Sequence, residues 1–524
     1  VTAGASSDYP NPGESFKQDF PTSTLIRSLC DPSVYDHTAS GIRVVETHIS
    51  WIILTGPFAY KVKKPVSLGF LDFGTLSKRK AMCIEELRLN RRLAPELYLD
   101  VVAITGSETA PVLNGSGAAI EYAVKMVQFD TDNEMAALVC KGLPISLIND
   151  LASGLADFHL NRARICSDQA FSTPAQVGQR IKDNFVVLRQ NSDSDRLRLL
   201  DYLETWVDAR LEDLEESIER RGGDGFVREC HGDLHLGNMV VIGDRVRLFD
   251  CLEFDVRLRW IDVISEVAFV VMDFDYHGCS EYGYQFLNRY LSVTGDYSGL
   301  ELLPLYLVYR AMVRAKVASI RNQQSSKRCG LVPEVGGHLE LAGQYLNARH
   351  PRLFITHGYS GSGKSWWSER LARKLPAIHI RSDVERDRTV AGADAERYSP
   401  ENIALNYEHL VNVAGTILDA EYSVIVDATF LRIEQRNMFY TLAENRGVET
   451  VVLDMQCDER LLRSRIAQRL AAGSDPSQAT TLVLDMQMRH AQPLSELDKA
   501  RIVTIEAGKK LDPDAILGQI SAVS

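Results

Sequence analysis

The chain has 524 residues, of which 45% are apolar or aromatic, and a formal net charge of −12; that is material for about three to four cores of ordinary domain size. The acidic balance disfavours a general nucleic-acid binder, because neutralising phosphates supplies most of the affinity of such proteins, although a local basic groove is compatible with it. The nine cysteines stand singly at 30, 83, 140, 166, 230, 251, 279, 329 and 457 with no C-x-x-C pair, which excludes a disulfide framework or zinc pattern and reads as reduced thiols in a cytoplasmic protein. No apolar run reaches the ~18 residues of a membrane helix, so no membrane partner is expected.

Residues 1–22, rich in Ser, Pro, Gly and Asp, read as a loose lead-in. Strand patterns follow at 42–46, 50–54 and 59–63, with Thr55-Gly56-Pro57 as a turn. A helix is predicted over 76–93, stopped by Pro95, then a hairpin pairing 101–103 with 119–127. Two helical stretches, 145–165 and 177–220, precede His231-Gly232-Asp233-Leu234-His235-Leu236-Gly237-Asn238 and a strand ending at Asp250. The pattern is helical again over 282–324, with a break near Pro304, and over 335–348.

Arg349-His350-Pro351 reads as a boundary, dividing the chain into domains at 1–349 and 350–524. Beyond it strands and helices alternate: 353–356, 364–375, 377–380, 402–419, 423–427, 433–445, 450–455 and 460–471. Such alternation predicts a parallel sheet covered by helices. No internal repeat is present, and the two halves are not copies of each other.

A kinase-type catalytic loop needs an Asp to take the proton of the attacking hydroxyl and an Asn five positions later to hold magnesium. Asp233 and Asn238 have that spacing, and Asp250 ends an apolar strand shortly downstream. Phe58-Ala59-Tyr60-Lys61 puts a lysine on a strand, with Glu85 and Glu86 in the following helix. These residues resemble the aminoglycoside and choline phosphotransferase family over roughly 40–345. The resemblance implies Asp233 as catalytic base, Asn238 and Asp250 as metal ligands, Lys61 as the phosphate-binding lysine and Glu86 as its partner; Lys63 and Glu85 remain alternatives. No G-x-G-x-x-G precedes Lys61, so another kind of loop must cover the phosphates. Asp72-Phe73-Gly74 precedes the catalytic loop, the wrong order for a metal motif, and reads as a chance match in a turn. Asp262 reads as a brace for the catalytic loop or as a surface or helix-capping carboxylate. Arg310, Arg314 and Arg321 form one helical stripe, read as a solvated face or, if it lines the cleft, as suited to an anionic substrate.

Gly358-Tyr359-Ser360-Gly361-Ser362-Gly363-Lys364-Ser365 fits a P-loop between a strand and a helix. Backbone N–H groups of Gly358, Ser360, Gly361, Ser362 and Gly363 converge on phosphates, Lys364 reaches the β/γ-phosphates and Ser365 suits Mg²⁺. Asp383 is placed to activate a substrate hydroxyl or to cap the next helix, and Asp427 ends a strand as a metal-holding acid. Arg463, Arg465 and Arg469, ahead of Gly473-Ser474-Asp475, resemble a lid helix, which implies catalytic roles for Arg465 and Arg469. This half is similar to the P-loop kinases that include gluconate kinase, zeta toxin and polynucleotide 5′-kinase. The order of the halves resembles a bacterial fusion family.

The expected fold is an α+β protein-kinase-like bilobal domain followed by an α/β P-loop NTPase domain with a parallel sheet. The expected function is a tandem kinase using ATP or GTP with Mg²⁺ to phosphorylate hydroxyls of small molecules such as sugars, cyclitols or aminoglycosides. The alternatives are a polynucleotide or nucleotide-sugar kinase in the C-terminal half, or one half regulating the other.

Overall fold

The computed structural model describes residues 23–68, 71–164, 171, 173–324, 332–389, 399–472, 477, 479–494, 498, 502–509 and 512–523; the lead-in expected over 1–22 lies outside them. The chain forms two compact units, one of residues 1–143, 157–273 and 308–342, the other of 144–156, 274–307 and 343–524. Division by compactness and the expected division at 349/350 therefore differ over 144–156, 274–307 and 343–349.

In the first unit an antiparallel sheet runs in the order Arg43–Glu46, Ser50–Leu54, Phe58–Lys63, Glu121–Val127, Tyr98–Ser107, Ala110–Leu113. The turn expected at Thr55-Gly56-Pro57 is present, with Gly56 at φ +102°. Alternation along Phe58–Lys63 decides which face each side chain takes. Tyr60 and Val62 pack with Ile26, Leu29, Ile53 and Ile104, while Ala59 joins Cys83, Leu97, Tyr98 and Val124 on the side of helix Leu76–Asn90. Lys61 and Lys63 share the parity of Ala59 and are turned toward that helix. Thr75 caps it, its side chain accepting from the Lys78 N–H. The expected hairpin of 101–103 with 119–127 is wider than predicted, because Tyr98–Ser107 pairs with both Glu121–Val127 and Ala110–Leu113.

Two-stranded sheets of Met239–Ile242 with Arg245–Leu248, and of Val227–Glu229 with Trp260–Asp262, bracket the 231–238 loop. The helical stretch expected over 177–220 is three helices, Pro174–Arg189, Ser194–Asp213 and Glu215–Gly223. The reason is local: Asp193 caps a new helix through the Arg196 N–H. The break expected near Pro304 falls at Gly295, whose φ of +72° ends helix Ser280–Thr294, whereas Pro304 sits harmlessly in the first turn of Leu303–Gln324.

The second unit is built on a five-stranded parallel sheet in the order Ala377–Arg381, Ser423–Asp427, Arg352–His357, Glu449–Gln456, Ile502–Glu506. Apolar runs such as Leu353-Phe354-Ile355 are fully buried because helices cover both faces. The predicted alternation corresponds to strands and helices within about two residues, while helices Thr481–His490 and Pro513–Val523 and strand Ile502–Glu506 were not expected. The fold is thus a kinase-like α+β domain followed by a P-loop domain with a parallel sheet. Among the described residues no helix is long and apolar enough to cross a membrane.

Candidate functional site

Strand Phe58–Lys63 and helix Leu76–Asn90 bring two lysines to one carboxylate. Glu86 lies 2.8 Å from the Lys61 Nζ through Oε1 and 2.7 Å from the Lys63 Nζ through Oε2. Lys61 continues to Asp250, and Lys63 to Glu253. Glu85 faces away, bonded to Arg88 and Arg259. Of the alternatives left open by the sequence, Glu86 is therefore the shared partner, and Lys61 is the lysine that meets Asp250. Lys63 is completely buried over the ring of Phe73. Burial opposes the charge on Glu86, but the two lysines outweigh it and draw its pKa down to about 2.

The catalytic loop is held from below. Gly232 has φ +92°, and a Cβ there would come within 3.0 Å of the Leu258 carbonyl oxygen. Its N–H donates to Glu266 at 2.7 Å and its carbonyl accepts from Arg310 at 3.2 Å. Farther along, the Leu236 N–H donates to Asp273 at 2.7 Å. Burial raises the cost of charging Glu266, yet a hydrogen bond from His159 and the nearby charges lower its pKa to about 2. His231 bridges the Phe249 carbonyl and the Asp233 N–H, which makes it a loop brace.

Asp233 itself keeps 38% of its side-chain surface exposed. The Asn238 Nδ2 donates to the Asp233 carbonyl at 2.8 Å. Asp250 stands at φ +63°, an uncommon conformation for this residue, and its N–H donates to Tyr98 Oη. Asp262 does not touch the loop in this way; it pairs with buried Arg221 and accepts from the Ile264 N–H. Arg310 corrects the solvated-face reading, since it is 3% exposed and bonded to the carbonyls of Gly232 and Ser265. Asp72 of the chance motif is exposed, accepting from the Gly74 N–H and pairing with Lys78.

In the second unit the P-loop follows strand Arg352–His357. Gly358, Gly361 and Gly363 have φ of +145°, +84° and +93°. A Cβ on Gly358 would lie 2.9 Å from the Met455 carbonyl oxygen, and one on Gly361 2.9 Å from that of Leu462, so the loop admits only glycine at both. Lys364 opens helix Lys364–Lys374 and donates back to the carbonyls of Gly358 and Tyr359 at 3.1 and 2.9 Å. Burial lowers its pKa against the pull of Asp427 and Asp383. The Ser360 N–H donates to Gln487, whose amide returns a bond to Ser360 Oγ. Ser362 Oγ is buried and has no hydrogen-bond partner among the described residues, a polar atom suited to a bound phosphate. Ser365 lies in the first turn of the same helix.

Asp427 ends strand Ser423–Asp427 and is buried beside His379 at 3.4 Å and Arg381 at 3.8 Å. Burial resists its ionisation, but His379 and the neighbouring cations bring its pKa to about 2. Asp383 lies in the first turn of helix Ser382–Thr389 and pairs with Arg386 at 2.8 Å. Arg465, on helix Glu459–Ala472, donates to the carbonyls of Gly361 and Ala507, and Arg469 to that of Ala479. Gly473-Ser474-Asp475 lies outside the described residues.

Sequence reasoning missed Glu266, Asp273 and Gln487, and gave no role to Glu253. All four act on segments distant from them in sequence.

A profile described as "Phosphotransferase enzyme family" matches residues 80–303, and one described as "AAA domain" matches residues 353–494. Uncharacterized proteins of Mycobacterium tuberculosis and Mycobacterium bovis are each 30% identical over 453 residues, covering 83% of this chain and 87% of theirs. Among solved structures, a choline/ethanolamine kinase family protein from Mesorhizobium loti is 9% identical with a TM-score of 0.40, over 62% of this chain and 94% of that one. A putative kinase from Chloroflexus aurantiacus is 21% identical with a TM-score of 0.29, over 34% of this chain and 100% of that one.

Proposed function

Because the chain belongs to one family with these mycobacterial proteins, and joins a phosphotransferase-family domain to a P-loop domain, we propose that it is a tandem kinase. Each half transfers the γ-phosphoryl group of ATP or GTP to a hydroxyl of a small molecule. The observation that carries this reading is that Lys61, Glu86 and Asp250 meet in one ion-pair chain, while Lys364 reaches back over a loop whose Gly358 and Gly361 have no room for a Cβ.

In the N-terminal half, Asp233 takes the acceptor proton. The acceptor oxygen bonds to the γ-phosphorus as the bond from that phosphorus to the bridging oxygen breaks, leaving the nucleoside diphosphate. Lys61, fixed by Glu86, holds the nucleotide phosphates. In the C-terminal half Asp383 serves as base, the 358–363 backbone and Lys364 cradle the phosphates, and Arg465 and Arg469 approach the transferred group. The donors fit a hard divalent cation, being amide, carboxylate and hydroxyl oxygens: Asn238 with Asp250, and Ser365 with Asp427. When bound, Mg²⁺ would neutralise charge on the phosphates.

Asp233→Asn tests the first site. In a chain whose C-terminal site is disabled by Lys364→Ala, the substitution should lower acceptor-dependent turnover by about 10²–10⁴, the contribution of a positioned base, with nucleotide affinity kept. Undiminished turnover would remove the assignment. A regulatory reading of the P-loop half has one observation on its side: Gln487 occupies the Ser360 N–H, a donor that a phosphate would otherwise take. In that case Lys364→Ala alone would silence both activities.

A further inference from the structure

Helix Leu303–Gln324 is fastened to the catalytic loop by Arg310, which donates to Gly232 and Ser265. Arg314 and Arg321, four and eleven residues later, continue along the same helical face. Both approach the carboxylate of Glu334, at 3.9 and 3.8 Å, much longer than the 2.7 Å pair of Arg221 with Asp262 in the same unit. Arg314 Nε is buried and has no hydrogen-bond partner among the described residues. His235 Nε2 stands 3.7 Å from Asp233 Oδ2. Burial first, and then the charge of Arg314 with a contribution from Arg321, keep His235 well below its ordinary pKa. The charges of Arg314 and Arg321 thus reach the loop that carries the base, with Asp273 acting against them.

A buried guanidinium donor left without an acceptor is costly, and its planar fork matches the two oxygens of a phosphate or carboxylate. A cationic acceptor would meet like charge here, and a neutral one would leave the donor unused. We propose that the acceptor of the N-terminal site carries an anionic group, phosphate or carboxylate, that Arg314 and Arg321 bind while its hydroxyl meets Asp233. This rests on the kinase reading of Asp233 and names the substrate class that goes with it.

The test uses the full chain with Lys364→Ala, assaying nucleotide consumption against sugar phosphates, sugar acids and the neutral and amino sugars that match them. Turnover of the phosphorylated or the carboxylated members is expected, and which of the two responds identifies the anion. For the responding compound Arg321→Gln and Arg314→Gln should raise the acceptor KM about ten- to hundredfold, the effect of losing a hydrogen bond between charged groups. Glu334→Gln, which removes the competing carboxylate, should lower that KM, and the nucleotide KM should stay constant in all three. Opposite shifts from Arg321 and Glu334 keep the test informative if Arg314→Gln fails to fold. Turnover confined to neutral or amino sugars, or no turnover of any anionic member, overturns the inference. Anionic turnover that persists in Asp233→Asn instead overturns the kinase reading on which it rests.

Discussion

Lys61 and Lys63 differ by two positions on one strand and touch the same carboxylate, yet their surroundings assign them different work. Lys63 is fully buried between Glu86 and Glu253, both nearly inaccessible. Lys61 pairs with Asp250, which keeps 44% of its side chain exposed and could be resolvated, and its other partner, buried Glu86, keeps Lys63 when Lys61 is removed. Removing one partner from a buried ion pair costs about 3–5 kcal/mol, because the other charge is left without compensation. Lys63→Met should therefore lose stability of that order, whereas Lys61→Met should fold well and lose N-terminal turnover. Denaturant midpoints beside nucleotide turnover check this; an unchanged midpoint in Lys63→Met together with full turnover in Lys61→Met would reverse the roles. Asp233 and Asn238 were legible in the sequence because their relation is five residues long. The lysine choice was not, since period-two alternation puts both on one face. The arginine stripe shows the same limit, for spacing says that Arg310, Arg314 and Arg321 share a side but not what covers it.

At the scale of elements, the P-loop half was legible almost strand by strand, because buried parallel strands are continuous apolar runs and each is followed by an amphipathic helix. What could not be read is what holds helix Ser382–Thr389, the carrier of Asp383, in place. Its anchor is Glu385, 1% exposed, which accepts from Tyr297 Oη at 2.8 Å, faces His409 Nε2 at 3.1 Å and pairs with Arg388. Tyr297 belongs to the 3-10 turn Tyr297–Glu301, almost ninety residues earlier. Glu385→Gln keeps the shape but removes the charge that these donors share. The expected result is a rise of about tenfold or more in acceptor KM for C-terminal turnover, the value of a hydrogen bond to a charged group, with the nucleotide KM constant. Tyr297→Phe should give a smaller effect in the same direction. Equal KM values for both substrates in both variants would show that the anchor does not position Asp383.

On the scale of the whole molecule, residues 280–301 lie within the profile match of the phosphotransferase family but pack in one compact unit with the P-loop sheet. Asn288 shows what they supply. Its Nδ2 donates to the Ala377 carbonyl at 3.0 Å and its Oδ1 accepts from the His379 N–H at 2.7 Å, so one amide imitates a strand neighbour along Ala377–Arg381, the edge of the parallel sheet. Arg388 also reaches the Ser292 carbonyl, and Gln285 bonds Glu369. An uncovered edge strand offers free donors and acceptors to other chains and is a route to self-association. Cutting the chain between Ala348 and Pro351 leaves the 350–524 piece without Asn288, Tyr297 and Ser292. That piece should melt at a lower temperature than the same residues in the intact chain, lose C-terminal turnover, and elute as larger species on size exclusion. Restoring residues 274–307 by co-expression of the 1–349 piece should recover a discrete species and turnover. A monomeric 350–524 fragment with the melting temperature and activity of the intact chain would mean that the edge needs no such cover.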